Sequence, residues 1–190
     1  GTTDNCGIDN LVLSQTTFDC DDVGDQTVVF TATDLNGNTA TATLTVTVEF
    51  NQAPQANAQD ITLELDASGN ASTTAAAVDN GSGSACGIGG LSLSQTDFSC
   101  ADLGPNMVTL TVTDTYGNVT TATATVTVVD LLAPTPVAQN VTVQLDAAGE
   151  GSLTAAEVDN GTSENCSLDN LSISQTDCDC TDVGTTTLEL

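Results

Sequence analysis

Between residues 41 and 48, threonine holds every odd position and an apolar residue every even one. Alternation with a period of two predicts a strand with one face buried and one wet. Residues 61–65 and 108–113 repeat the pattern. Asn36-Gly37 is the dipeptide favoured by a two-residue type I′ hairpin, and Tyr116-Gly117 occupies the same place further along. Turns are expected at 66–70 and 146–149. The run 75–78 reads as one marginal turn of helix. Short strands separated by glycine turns predict an all-β fold, specifically a β-sandwich.

The pattern recurs with a period of 80 residues. Cys6, Cys86 and Cys166 keep that spacing, as do Cys20, Cys100 and Cys180, and Pro54 and Pro134. The segments CGIDNLVLSQTTFDCDDVG, CGIGGLSLSQTDFSCADLG and CSLDNLSISQTDCDCTDVG are variants of one another. Proline cannot donate to a ladder and stiffens a connection, so the modules are cut near Pro54 and Pro134. The expected organisation is the C-terminal part of one module at 1–50, a complete module at 51–130, and the N-terminal part of a third at 131–190. With both end pieces incomplete, the chain reads as a window of a longer array; the alternative is copies completing one another in a filament.

Composition narrows the function. The chain has 26 acidic residues, no Lys, Arg or His, and a formal charge of −26. It cannot neutralise phosphates, which excludes nucleic-acid partners, and an anionic membrane surface repels it. Ser-His-Asp and Cys-His sites cannot be built, so a non-catalytic role is expected. Asp19, Asp21 and Asp22 resemble a carboxylate group of glycosidase type, but the next repeat has Ser99, Ala101 and Asp102 there. They read as a solvated loop.

Each repeat carries two cysteines 14 residues apart, with no His and no CxxC. The pattern reads as one disulfide per module: Cys6–Cys20, Cys86–Cys100 and Cys166–Cys180. Such a bridge requires the chain to turn back between Leu91 and Phe98. Buried free thiols and a carboxylate-assisted zinc site are the alternatives. Cys178 stands where Phe18 and Phe98 stand, so it is expected in the core, either unpaired or competing with Cys180 for Cys166.

The acids repel one another with no cation in the chain to offset them. Oxygen ligands suit Ca²⁺. Strand directions place Asp79, Asp114 and Asn118 at the same end as Glu49 and Asn51 of the entering linker, with Asp130 and Asp159-Asn160 as the counterpart below. Ca²⁺ at the module junctions is therefore expected; ordinary Asx turns are the competing reading. Sequons at Asn70, Asn80, Asn118, Asn140, Asn160, Asn165 and Asn170 would matter only in a eukaryotic secretory pathway.

The order of a Pro linker, an Asp79-Asn80 motif, a Leu103-Gly104 turn, a T-x-T-D-x-x-G-N hairpin (Asp114, Gly117, Asn118) and a terminal V-T-V resembles the hyalin-repeat (HYR) family. These are immunoglobulin-like modules, here similar to the form found in tandem arrays of large bacterial surface proteins. The resemblance implies tandem immunoglobulin-like β-sandwich modules with an adhesive or structural role and no common ligand. Its partners would be neighbouring modules, other copies in a filament, or surface glycans, at an extracellular cell surface. Cysteine positions differ from those of animal hyalin repeats, so their connectivity does not carry over. A ligand-binding module (glycan, protein or ice) and an accessory region of a secreted enzyme are the alternatives.

Overall fold

The computed structural model describes residues 2–189. The protein is all-β, with eleven strands among the described residues. β1 (Ile8–Leu13), β2 (Gly24–Asp34) and β3 (Thr39–Val48) form a three-stranded antiparallel sheet. β4 (Ile61–Glu64) and β5 (Asn70–Ser72) lead to a single helical turn, α1 (Ala75–Val78). β6 (Ile88–Leu93), β7 (Asp97–Ser99), β8 (Gly104–Asp114) and β9 (Val119–Val129) follow. A four-stranded sheet has the order β4-β9-β8-β6, with β4 parallel to β9, while β5 pairs antiparallel with β7. Beyond it lie β10 (Gly151–Ser152), α2 (Ala155–Val158) and β11 (Asp177–Cys178), with β10 and β11 paired. β2 and β8 begin and end 80 residues apart, as do α1 and α2.

Val108, Leu110 and Val112 of β8 and Ala124, Val126 and Val128 of β9 are buried, with less buried residues between them. The period-two reading therefore holds in the middle repeat. It holds less well in β3, whose residues all remain exposed or half-exposed, Leu44 at 42%. β3 is paired along its length with β2, but a ladder alone does not cover a face. Residues 141–144 alternate like β4 yet form no strand. β4 is a strand because β9 supplies its ladder; 141–144 have no ladder partner among the described residues.

The expected type I′ hairpins are not formed. Asn36 and Tyr116 do not have positive φ, whereas Gly37 and Gly117 do (85° and 88°). Gly37 N–H donates to the Asp34 carbonyl and Asp34 N–H to that of Asn38. This is a type I turn followed by a left-handed glycine. The cause is the aspartate at the turn's first position. One carboxylate oxygen of Asp34 accepts from the N–H of Asn36 (2.9 Å) and Asn38 (2.8 Å), the other from the Asn38 amide (2.8 Å).

The chain divides into two compact units that cut across the sequence repeat. The first comprises Gly1–Ala58, Asp79–Ser92 and Leu110–Ala122; the second comprises Gln59–Val78, Leu93–Thr109 and Thr123–Leu190. Each unit thus draws on two successive repeats.

Candidate functional site

The cysteines carry the clearest chemistry, and their pairing corrects the expectation. Cys20 is bonded to Cys86 and Cys100 to Cys166, each across 66 residues. Bridges join adjacent repeats and do not close loops within one. Cys86 precedes β6 and Cys100 follows β7, and these two strands belong to different sheets. Cys86 belongs to the first compact unit and Cys100 to the second. Cys6, Cys178 and Cys180 are unpaired. Cys166 is taken by Cys100, so Cys178 does not compete for it. Cys178 is half-buried and pairs with Gly151 in β11–β10 as Phe98 pairs with Ala71 in β7–β5.

Local structure presents the bridging sulfurs. Cys20 and Cys100 each open a 3₁₀ turn (Cys20–Asp22, Cys100–Asp102). Asp19 and Ser99 cap these turns, while Asp22 and Asp102 accept from the cap's own N–H at 3.0 and 2.8 Å. The reciprocal cap satisfies donors that the turn leaves free. Behind Cys100 lies Gly69, with φ at 72°. A Cβ there would come within 2.6 Å of Cys100 Sγ and 2.8 Å of the Asn165 carbonyl oxygen. Only glycine lets the sulfur and the next repeat's backbone meet at that point. In the chain-entropy model a 66-residue loop contributes about 4.4 kcal/mol, against about 3 kcal/mol for the short loop expected from sequence.

The two bridged junctions are lined differently. At the first, Phe50 and Tyr116 pack with ring centroids 5.7 Å apart. The Tyr116 hydroxyl donates to the Cys20 carbonyl, the Asn118 amide to that of Phe50 (3.0 Å), and the Thr115 hydroxyl to that of Cys86 (2.9 Å). At the second, Asn165 Nδ2 donates to the Asp66 carbonyl (3.1 Å) and to Asp130 Oδ1 (3.2 Å). Glu164 Oε2 accepts from the N–H of Cys166 (2.5 Å) and Ser167 (2.8 Å). The linkers add short ladders: Gln55 with Gly83 (2.7 and 2.9 Å) and Thr135 with Ser163 (2.8 and 3.1 Å).

The residues expected to hold Ca²⁺ are mostly engaged as turn staples. Asp114 is buried, at 2% exposure, and accepts from Tyr116 N–H, Asn118 N–H and the Asn118 amide, each at 2.9 Å. Burial opposes its ionisation, but these donors outweigh it and hold the carboxyl below its ordinary range. Asp79 is lowered chiefly by the Ser82 side chain and Asp159 by that of Thr162. Glu49 accepts from the Asn51 amide (3.2 Å) and Asp130 also accepts from Leu132 N–H (3.1 Å). Glu49, Asp79 and Asp114 do not gather into one carboxylate group, nor do Asp130 and Asp159 with a third acid, among the described residues.

One gathering of ligand-type groups was not expected: Asp130, Glu164 and Cys166, all within 4.8 Å of one another. The Cys166 sulfur is spent in its disulfide and is not a thiolate ligand. Oxygen donors remain. Glu164 Oε1 and Asn165 Oδ1 are buried atoms without a hydrogen-bond partner among the described residues, beside Asp130. Such a set suits a hard divalent cation. It is particular to the second junction, because Phe50, Ser84 and Ala85 stand at the corresponding places of the first. Gly69, Tyr116 and Asn165 were missed in the sequence reading. The signal available for Gly69 was its recurrence as Gly149, 31 residues ahead of a cysteine in both repeats. No protein-family model matches the chain, and no curated protein matches it.

Proposed function

We propose that this chain is a non-catalytic segment of an extracellular tandem array, built of immunoglobulin-like β-sandwich modules related to hyalin repeats. Its task is mechanical: to hold an extended stalk or fibre at fixed length on a cell surface. One observation carries the reading. The middle repeat uses Cys86 on the repeat before it and Cys100 on the repeat after it. Each bridge lies inside one compact unit, and each unit is assembled from two successive repeats, so the bridges lock neighbouring repeats to one another. Bridging both neighbours serves a chain whose modules must not part. Disulfides persist in oxidising compartments, which supports an extracellular site. The charge of −26 keeps such an array soluble and apart from anionic surfaces. Small-angle scattering tests the proposal: reduction should increase the radius of gyration while circular dichroism retains its strand signal. An unchanged radius would refute the mechanical role of the bridges.

Ca²⁺ stiffening is a second reading, supported by the partnerless oxygens of Glu164 and Asn165 beside Asp130. It applies to one junction and not to the array as a whole. Added Ca²⁺ should raise the melting temperature of the wild type and not of Glu164→Gln; an equal rise in both would refute it.

A further inference from the structure

Cys180 sits in the same setting as the bonded Cys100. Its sulfur lies 3.8 Å from the Gly149 carbonyl oxygen, as that of Cys100 lies 3.7 Å from the Gly69 carbonyl. Asp179 stands before it and accepts from Thr181 N–H, while Asp182 accepts from Asp179 N–H, so the turn is capped as at Cys100. Gly149 has φ at 82°, and a Cβ there would meet Cys180 Sγ at 2.5 Å. One thing differs. At Gly69 a second atom closes the cradle, the carbonyl oxygen of Asn165 from the following repeat; at Gly149 nothing else among the described residues lies within 4 Å. The socket is built and its second wall is missing. Cys6, exposed and unpaired, begins the same Cys-Gly-Ile run as the bonded Cys86.

We infer that Cys180 and Cys6 are opposite halves of one more inter-repeat disulfide. Cys180 takes a Cys6-type segment of another repeat, whose preceding carbonyl enters the open place at Gly149. Cys6 takes a Cys180-type turn. The inference rests on the array reading and adds the means of joining. An oxidant of the small-molecule disulfide class, such as glutathione disulfide, supplies the chemistry. The Cys180 thiolate attacks one sulfur of the oxidant, whose S–S bond breaks and releases a thiolate. The Cys6 thiolate then attacks the Cys180 sulfur of the mixed disulfide and expels the second thiolate. Two protein thiols are oxidised, one small disulfide is reduced, and the two protons go to the released thiolates.

The test is oxidation of the 190-residue chain with glutathione disulfide over a hundredfold range of protein concentration, followed by non-reducing Asp-N peptide mapping. The expected result is concentration-dependent covalent oligomers in which Cys180 of one copy is linked to Cys6 of another. Cys180→Ser and Cys6→Ser should each reduce them at least tenfold. Gly149→Ala should reduce them comparably while leaving Cys20–Cys86 formed. In material from the native source, mapping separates two origins: a Cys180 link to Cys6 itself joins copies, and a link to a different Cys6-type peptide joins repeats of one longer polypeptide. Cys180 found free, or bonded to Cys178 or to another Cys180, would overturn the inference. If Cys20–Cys86 and Cys100–Cys166 persist in that outcome, the array reading stands; their absence would remove it as well.

Discussion

Reduction of the two bridges should lengthen the chain under tension by an amount fixed by the cysteine positions. Each bridge shunts 66 residues out of the line of force and replaces them with a crossing of 5.4 or 5.3 Å between Cα atoms. At about 3.5 Å per extended residue, each loop hides roughly 230 Å. Pulled from its ends with both bridges intact, the chain should extend to about 210 Å, since only the stretches before Cys20, from Cys86 to Cys100 and after Cys166 bear tension. Fully reduced, it should reach about 660 Å. Single-molecule force spectroscopy with and without dithiothreitol measures the difference. A Cys20→Ser/Cys86→Ser variant should release one increment of roughly 230 Å and keep the other hidden. Equal contour lengths in oxidised and reduced chains would refute the pairing and with it the mechanical argument.

Leu110→Ala should cost about 2–5 kcal/mol in denaturant unfolding, because Leu110 has no exposure, while Leu44→Ala at 42% exposure should cost less than about 1 kcal/mol. Asp114→Ala should lower the melting temperature more than Asp34→Ala does, since they staple equivalent turns of successive repeats and Asp114 is the buried one. Carboxyls held low in the folded state, among them Asp34, Asp102 and Asp146, stabilise it fully above the unfolded carboxylate pKa of about 3.9 and cease to as pH falls through their folded values. Self-repulsion runs the other way, so a melting-temperature profile should rise from pH 7 toward about 4.5 and fall below about 3.5. Gly69→Ala should leave Cys100 and Cys166 reactive to an alkylating reagent under native conditions, because a Cβ there collides with the sulfur and the Asn165 carbonyl.

The strand content was legible because alternation is a local property. Residues 41–48 and 108–113 announce themselves in threonine alternating with apolar residues, whatever lies around them. Burial was not legible in the same way: β3 and β9 share a pattern, and only β9 buries its apolar face. Residues 141–144 make the point for pairing, since a ladder needs a second strand. The hairpin type was misjudged because Asn36-Gly37 was weighed alone, while the Asp34 carboxylate two residues earlier fixes the turn. Cysteine pairing was misjudged for a related reason. Sequence proximity favours the 14-residue partner, but β6 and β7 carry the two sulfurs to different units, and the period of 80 fits a 66-residue link as well as a 14-residue one.

The bridge pattern also bears on what a protease can do to the chain. A single cut anywhere between Cys20 and Cys86, the linker at Pro54 included, leaves both fragments covalently joined; the same holds between Cys100 and Cys166 around Pro134. Between the bridges, only the stretch from residue 87 to 99 lacks this backing. Enzymes that cleave after lysine or arginine find neither residue there or elsewhere in the sequence. The one aromatic side chain in the stretch, Phe98, is 2% exposed and so withheld from enzymes that select aromatics. Nicks would accumulate in such a molecule long before it came apart.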